Sequence, residues 1–575
     1  MVIVTLKKWL IPENKQSLST NTYFWLTLSL FFATLYGCLS LREAFSAPFV
    51  IQDDARQHVF WMQRFLDPTL FPNDLIADYF QSVAPVGYKK VYQLAALLGI
   101  NPLVFNKILP LILGIITTVF GFYFCLEILP ISFASFASMV LLNQSLWMTD
   151  DLSSGTPRAF VYPLLLGFLY MLARKSLFGC IFFIVLQGLF YPQTVFISMG
   201  TLTLHCLVLN LRSFKISLDL TKLKLFALCF IATFFVLLPY ALKTSSYAPV
   251  ITAEVAKKLP EFQPGGRARF FVDDFWTYWI SGDRSGLSYK TILSPATLIA
   301  AFLMPFFALF PNIFTLVKSF RRQWVIIIQL ILASLGMFCF AHLALFRLHL
   351  PGRYTQYSFT IILAILTGIS LITLVDLLLR LAIGKTLWQK IVSLLVVFVI
   401  ISGLTGYPVF MESFLSGNYI KSNLDELYNF ISQQSKDIVI ASTSLEAGNI
   451  ASFTGRSVLV SVEHTIPYHQ GYYQKIRQRY QDIISAQYSP NKADLQKVID
   501  KYNITFWLLD DKTFSEKYIV KSGFLNQFQP ETKQALENLR LGKTPALLKL
   551  KENCTFFSQQ DYLLVNSECL MNSYK

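Results

Sequence analysis

The sequence predicts an α-helical polytopic membrane protein ending in a small soluble α/β domain. Three observations carry this. Hydrophobic residues make up 54% of the 575 residues and charged residues only 14%, with a mean hydropathy of +0.49, whereas soluble proteins carry about 25% charged residues. About eleven apolar runs are long enough to cross roughly 30 Å of hydrocarbon. From about residue 420 onward the composition becomes that of a soluble domain.

The runs lie near 22–41, 102–125, 131–148, 158–173, 176–192, 193–211, 223–243, 295–316, 323–346, 355–379 and 387–411. The cluster 158–211 is short and nearly continuous, so its number of spans stays open. Lys7, Lys8 and Lys15 precede a first run of full length with no small-residue cleavage site, which is not the pattern of a cleavable signal. With the N-terminus cytoplasmic, the inner loops hold Arg174, Lys175 and the basic stretches 212–224, 318–322 and 380–390. Short basic connections belong on the cytoplasmic side. The outer segments are then 42–101, 149–157, 244–294 and 346–353. An odd number of crossings puts everything after 411 outside, at the plasma (inner) membrane. The domains follow as 1–415, transmembrane, and 416–575, soluble and extracytoplasmic.

The formal charge of +15 is explained by these loops. No basic block is interleaved with a soluble fold, so nucleic acid is not an expected partner. Six cysteines (Cys38, Cys125, Cys180, Cys206, Cys229 and Cys339) fall in apolar runs as small hydrophobes. Cys554 and Cys569 lie in the polar C-terminal part without zinc spacing, and a disulfide between them stays open, depending on the compartment. In that part 437–442, 457–462 and 504–509 read as buried strands, and 423–434, 472–487 and 492–502 as helices. Such alternation argues a parallel sheet. It contains no glycine-rich phosphate loop, and His464 and His469 have no carboxylate spacing for a metal.

The chemistry concentrates in the outer segments. Residues 51–68 read as an amphipathic helix stopped by Pro68, with Ala55, Val59, Met62 and Leu66 on one stripe and Asp53, Arg56, Gln57 and Arg64 mostly opposite. Such a helix lies flat at a membrane surface. Asp53 and Asp54 stand at its N-terminus beside Arg56 and His58. A carboxylate pair there acts as a general base toward a hydroxyl, or binds a cation carrying a phosphate; the alternative is a plain helix cap. Asp150 and Asp151, followed by Arg158, form a second acidic pair, or else a solvated turn. Arg353, near Arg347 and His349, presents a planar fork to phosphate oxygens, or else snorkels to headgroups. Segment 244–294 carries Gly265, Gly266, Arg267, Arg269, Asp273, Asp274 and Arg284 among aromatics, as a lid over a substrate would.

This layout resembles the GT-C superfamily of multi-spanning glycosyltransferases, whose first outer loop carries an acidic motif. Asp53 and Asp54 match that motif, Asp150 or Asp151 the second acidic position of some members, and Arg353 the arginine some use on the lipid phosphate. The resemblance implies a polyprenyl-phosphate or polyprenyl-diphosphate sugar donor and a glycan, lipid or protein acceptor at the membrane. Asp53 or Asp54 would be the catalytic base of an inverting transfer. Arg353, His349, Arg56, His58, Asp150, Asp151 and Arg158 would bind donor and phosphate. No cofactor is required by these residues; a divalent cation, Mg or Mn, is the one candidate. The Trp-Trp-Asp motif of oligosaccharyltransferases is absent, which argues against peptide N-glycosylation. The rival reading is a transporter or flippase for a lipid-linked or polysaccharide substrate. It sits poorly with spans almost free of ionisable residues. A non-catalytic scaffold for polymer assembly is the third.

Overall fold

A computed structural model describes residues 2–11, 18–210, 215–242, 245–287, 293–411 and 414–573. Lys15, Arg212 and residues 288–292 of the candidate lid lie outside the described residues. Ten helices build the apolar part: α1 (Leu18–Ala44), α2 (Pro102–Ile128), α3 (Ser132–Trp147), α4 (Val161–Ala173), α5 (Leu177–Phe190), α6 (Gln193–Cys206), α7 (Leu220–Leu242), α8 (Val325–Leu343), α9 (Arg353–Ala382) and α10 (Leu387–Gly406). Among the described residues six helices, α1, α2 and α7–α10, are long and apolar enough to cross a membrane. The chain is a multi-pass membrane protein. The helices α4, α5 and α6 have 13, 14 and 14 residues, short of the roughly 20 a span needs.

The run 295–316 is not one helix. It is a 3-10 segment, Ala296–Leu303, followed by the α-helical Met304–Leu309. Pro305 lacks the N–H that would continue the helix through the junction, and Pro311 follows its end. Elsewhere the boundaries follow from capping. Asn101 accepts from Leu103 N with Pro102 in the first turn of α2, and Thr386 with Gln389 forms a capping box on α10.

Every residue of α3 is buried, so it is the interior helix around which the others stand. The long helix α9 lies against it. At Gly368 a Cβ would sit 2.5 Å from the Ser138 backbone nitrogen, so only glycine permits this approach; Ser138 Oγ donates to Ile365 O at 3.2 Å. The two carboxylates near span ends are both paired. Glu127 meets Arg174 and Arg321, each at 3.3 Å. Asp376 meets Arg380 at 2.8 Å and Lys7 at 3.9 Å.

Residues 51–68 do not form one surface helix. The strand β1 (Val50–Gln52) is followed by a turn, a single helical turn (Ala55–His58) and a 3-10 segment (Phe60–Phe65). The stripe of Ala55, Val59 and Met62, with Trp61, is fully buried, while Leu66 is exposed. Apolar area is sequestered against protein here, not lipid: Phe60 packs 5.2 Å from the His464 ring. The strand β1 pairs antiparallel with β2 (Tyr419–Lys421), Gln52 opposite Tyr419, which ties the first loop to the segment after α10.

The C-terminal part holds a five-stranded sheet of β3 (Val439–Ala441), β4 (Ser457–Val458), β5 (Phe506–Asp510), β6 (Thr555–Gln559) and β7 (Tyr562–Asn566), in the order β4-β3-β5-β7-β6. The expected strands β3, β4 and β5 are parallel. The hairpin β6–β7 adds two antiparallel strands, so the sheet is mixed and not parallel throughout. Its turn has Gln560 left-handed, φ 51°, without the Asn-Gly or Asp-Gly that marks such turns in a sequence. Helices α11 (Asp425–Gln433), α12 (Ala447–Thr454), α13 (Gln470–Tyr488) and α14 (Lys492–Tyr502) accompany the sheet. Cys554 and Cys569 are disulfide-bonded.

Candidate active site

Three chain segments meet where β1 ends. Gln52 Oε1 accepts from the backbone nitrogens of Asp54 at 2.8 Å and Ala55 at 3.3 Å. Gln52, not an aspartate, therefore caps the short helix, and the Asp54 side chain makes no capping bond. The backbone N–H of Asp53 is held by Asn418 O at 3.0 Å. Both carboxylates are thus free to point elsewhere, and they diverge.

Asp54 Oδ2 lies 2.7 Å from Arg158 Nη2. The same nitrogen is 3.0 Å from Asp150 Oδ2, and Arg158 Nη1 is 3.2 Å from Asp151 Oδ1. One guanidinium therefore joins three carboxylates from two loops. The Asp151 side chain, 2% exposed, is otherwise saturated: Tyr162 OH donates to it at 3.1 Å, Gln356 Nε2 at 2.9 Å, and Arg353 Nη1 stands 3.6 Å away. Asn418 Nδ2 donates to Asp150 Oδ2 at 2.8 Å. Burial raises the Asp150 carboxyl, but Arg158, Asn418 and Arg353 outweigh it and hold it below the usual range. Burial pushes Asp151 up, and the two guanidiniums draw it part of the way back.

Asp53 faces the other way. It pairs with Arg56, which also reaches Glu463 Oε2 at 3.0 Å and Asn449 Oδ1 at 3.1 Å. Burial and the Glu463 charge raise the Asp53 carboxyl, with Arg56 pulling it down. Arg56 is therefore a brace between the first loop and the C-terminal part. His58 packs 5.8 Å from the Phe80 ring, and burial keeps its pKa below the ordinary value despite Asp54. His349 adopts a left-handed backbone, φ 63°, and burial beside Arg353 and Arg284 lowers its pKa to about 3. Both imidazoles are neutral at pH 7.

Asp150, Arg158 and Arg353 line a cavity of about 340 Å³ together with Arg267, Arg269, Asp283 and Arg284 of the 244–294 segment. Arg267 Nη2 reaches Glu463 Oε1 at 3.1 Å. The backbone nitrogen of Gly352, before Arg353, donates to Arg284 O at 3.0 Å. The structure thus gathers Asp54, Asp150, Asp151, Arg158 and Arg353, and leaves Asp53, Arg56, His58 and His349 around it. Residues not singled out from the sequence are Tyr162, Gln356, Asn418 and Glu463. A tyrosine and a glutamine on otherwise apolar helices are the signal that could have found the first two. Among the described residues no group of three His, Cys, Asp or Glu side chains is arranged to hold a metal ion. Arg158 occupies the position between the carboxylates that a divalent cation would need, so this donor set does not fit one as it stands.

No protein-family model matches the chain, and no curated protein matches it either. Solved structures do. The oligosaccharyltransferase of Archaeoglobus fulgidus tethered to an acceptor peptide gives a TM-score of 0.55 at 13% identity, covering 89% of this chain and 72% of that one. A complex of the Archaeoglobus fulgidus enzyme with an inhibitory peptide and a dolichol-phosphate gives 0.54 at 11% identity over the same shares. The apo form gives 0.51 at 12% identity, covering 88% and 72%. At these identities the likeness is one of fold: the chain shares the fold of these Archaeoglobus fulgidus oligosaccharyltransferase structures.

Proposed function

We propose that this protein is a membrane glycosyltransferase that moves a sugar from a polyprenyl-linked phosphate or diphosphate donor to an acceptor hydroxyl. The observation that carries the reading is Arg158, which binds Asp54, Asp150 and Asp151 while lining a cavity with four further arginines. A base and an anion-binding wall then lie within one side chain of each other. Asp54 accepts the proton of the acceptor hydroxyl as its oxygen bonds to the anomeric carbon. The bond from that carbon to the lipid phosphate oxygen breaks, the electron pair leaves on the phosphate, and the configuration inverts. Arg353 and its neighbours take up the charge of the leaving group, and Arg158, 2.7 Å away, orients Asp54. Asp53, engaged by Arg56, orients the loop that carries Asp54.

The reaction belongs on the outer face of the plasma membrane, with the N-terminus cytoplasmic, 1–415 in the membrane and 416–575 outside. The Cys554–Cys569 bridge supports that compartment, since disulfides persist where it is oxidising. The acceptor is a glycan, lipid or protein hydroxyl. The missing Trp-Trp-Asp motif argues against an asparagine acceptor, although the similar solved structures are oligosaccharyltransferases. Glu127 and Asp376, the carboxylates near span ends, are both ion-paired, which counts against a transporter that needs a free acid on its path. Reconstitution in vesicles with a polyprenyl-linked sugar tests the reading. Release of the polyprenyl phosphate and a glycosylated product of inverted anomeric configuration are expected. Movement of intact lipid between leaflets with no donor consumed would make the protein a flippase instead.

A further inference from the structure

We infer that a second site, a groove where the first loop meets α13 and α14, binds an acidic saccharide through Lys475 and Arg479. Its role as the hold on a glycan acceptor rests on the reaction proposed above; its chemistry does not. The groove measures about 570 Å³ and lies between residues 73–78 of the first loop, Tyr247, and α13 and α14, within the roughly 300–1,000 Å³ of small-molecule sites. It shares no lining residue with the cavity of Arg158 and Arg353. The charged residues lining it are Lys475, Arg479, Lys501 and Asp78. Lys501 is neutralised by Asp482 at 2.6 Å, and Asp78 by Arg64 at 2.8 Å. Lys475 and Arg479 remain. They stand one turn apart on α13, a spacing at which like charges repel. Among the described residues neither lies within ion-pair distance of a carboxylate, and Arg479 donates only to Leu459 O at 3.2 Å. Asp74, the carboxylate that acts on Arg479 from farther off, is buried and engaged in capping the helix Leu75–Val83 through Ile76 N and Ala77 N.

Both cations are set against aromatic rings. Lys475 Nζ sits 5.9 Å from the Tyr247 ring centre, and Arg479 Cζ 5.8 Å from that of Tyr502. Such contacts steady a cation, and groups already in place lose less freedom when a ligand arrives. One carboxylate bridging Lys475 and Arg479 relieves their repulsion and accepts charge-assisted hydrogen bonds from both. Gln474 and Gln478 line the same groove at the same spacing. Gln478 Nε2 donates to Asp482 Oδ1 at 2.9 Å, which leaves its carbonyl oxygen to accept. Amides beside a pair of cations match a ring that carries hydroxyls and a single carboxylate, whereas a bare phosphate would leave the amides unused. The groove and the catalytic cavity also belong to one segment of chain. Tyr247 O accepts from Gly471 N at 3.0 Å, at the start of α13, and the same segment continues to Arg267 and Arg284 in the cavity. Between them Glu261 is paired with Arg477 of α13. A saccharide chain gripped in the groove thus supplies binding energy from units remote from the reacting hydroxyl.

The experiment measures calorimetric binding of tetragalacturonate, maltotetraose and inorganic phosphate to the full-length protein in nanodiscs of uncharged lipid. The wild type is expected to hold tetragalacturonate roughly tenfold or more tighter than either of the others. Lys475→Gln should remove that preference, and Lys475→Arg should keep most of it. Lys475 is the main variant because its exposed side chain makes no hydrogen bond or ion pair among the described residues, so folding does not depend on it; Arg479→Gln is the second. Equal affinity for the two tetrasaccharides, phosphate bound as tightly as tetragalacturonate, no binding of either saccharide, or a Lys475→Gln protein with the preference intact overturns the inference. None of these results touches the transferase reading, which stands or falls on consumption of the polyprenyl-linked donor. Tetragalacturonate bound by a protein that consumes no donor would uphold the groove and sink that reading.

Discussion

Replacing Arg158 with leucine tests the centre of the site. The substitution keeps apolar volume but removes the one charge that Asp54, Asp150 and Asp151 share at 2.7, 3.0 and 3.2 Å. Asp151 is buried and retains Tyr162, Gln356 and, at 3.6 Å, Arg353, so it is not left bare. Breaking a buried pair by deleting one partner costs about 3–5 kcal/mol, and the surviving donors put the expected loss at the lower end of that range. Three neighbouring carboxylates would then repel one another, and neutralising one should relieve the strain. Asp151→Asn introduced into the Arg158→Leu protein is expected to recover part of the loss, with a coupling of about 1–3 kcal/mol across the double-mutant cycle. The assay is the unfolding free energy in mixed micelles for the wild type, both single variants and the double variant. An Arg158→Leu protein as stable as the wild type, or effects that simply add, would refute the arrangement.

Three further outcomes follow from the packing and the titrating groups. Gly368→Ala pushes a methyl group onto the Ser138 backbone and should destabilise the α3–α9 contact by about 1–3 kcal/mol, read as a lower unfolding midpoint; an unchanged midpoint would mean the helices do not touch there. His464, fully buried with Nδ1 2.6 Å from Ser461 Oγ and Nε2 donating to Arg56 O at 2.9 Å, has its pKa lowered to about 3 by burial. The unfolded chain binds the proton more readily, so stability is complete above pH 6.5 and falls by about 1.4 kcal/mol per pH unit below it, toward pH 3; His464→Gln should flatten that slope in acid unfolding curves. Cys569→Ser opens a loop with a sequence separation of 15 and should cost the C-terminal sheet about 3 kcal/mol, visible as earlier proteolysis in 555–566.

The helical part was legible because apolar runs speak locally. The runs 102–125 and 387–411 fall in α2 and α10, and α14 spans 492–502, the range its spacing predicts. Residues 51–68 misled for a physical reason. An apolar stripe states that a surface will be covered but not by what, and here the cover is the C-terminal part. The hairpin 555–566 escaped because its turn residues, Gln560 and Asp561, are not the usual ones. Within the site, the acidic pairs and Arg353 stood out as charges beside spans. Their convergence did not, since it depends on β1 meeting β2 from the far side of α10. Asn418 and Glu463 gave no local signal, being lone polar residues whose partners lie hundreds of positions away.

The most direct measurement is the initial rate of sugar transfer from a polyprenyl-linked donor by Asp54→Asn and Asp53→Asn, each expressed and folded like the wild type. Asp54→Asn should lose at least about a hundredfold in rate, within the 10²–10⁴ range that a positioned base supplies, while Asp53→Asn keeps a substantial fraction. Full transfer by Asp54→Asn would contradict the account.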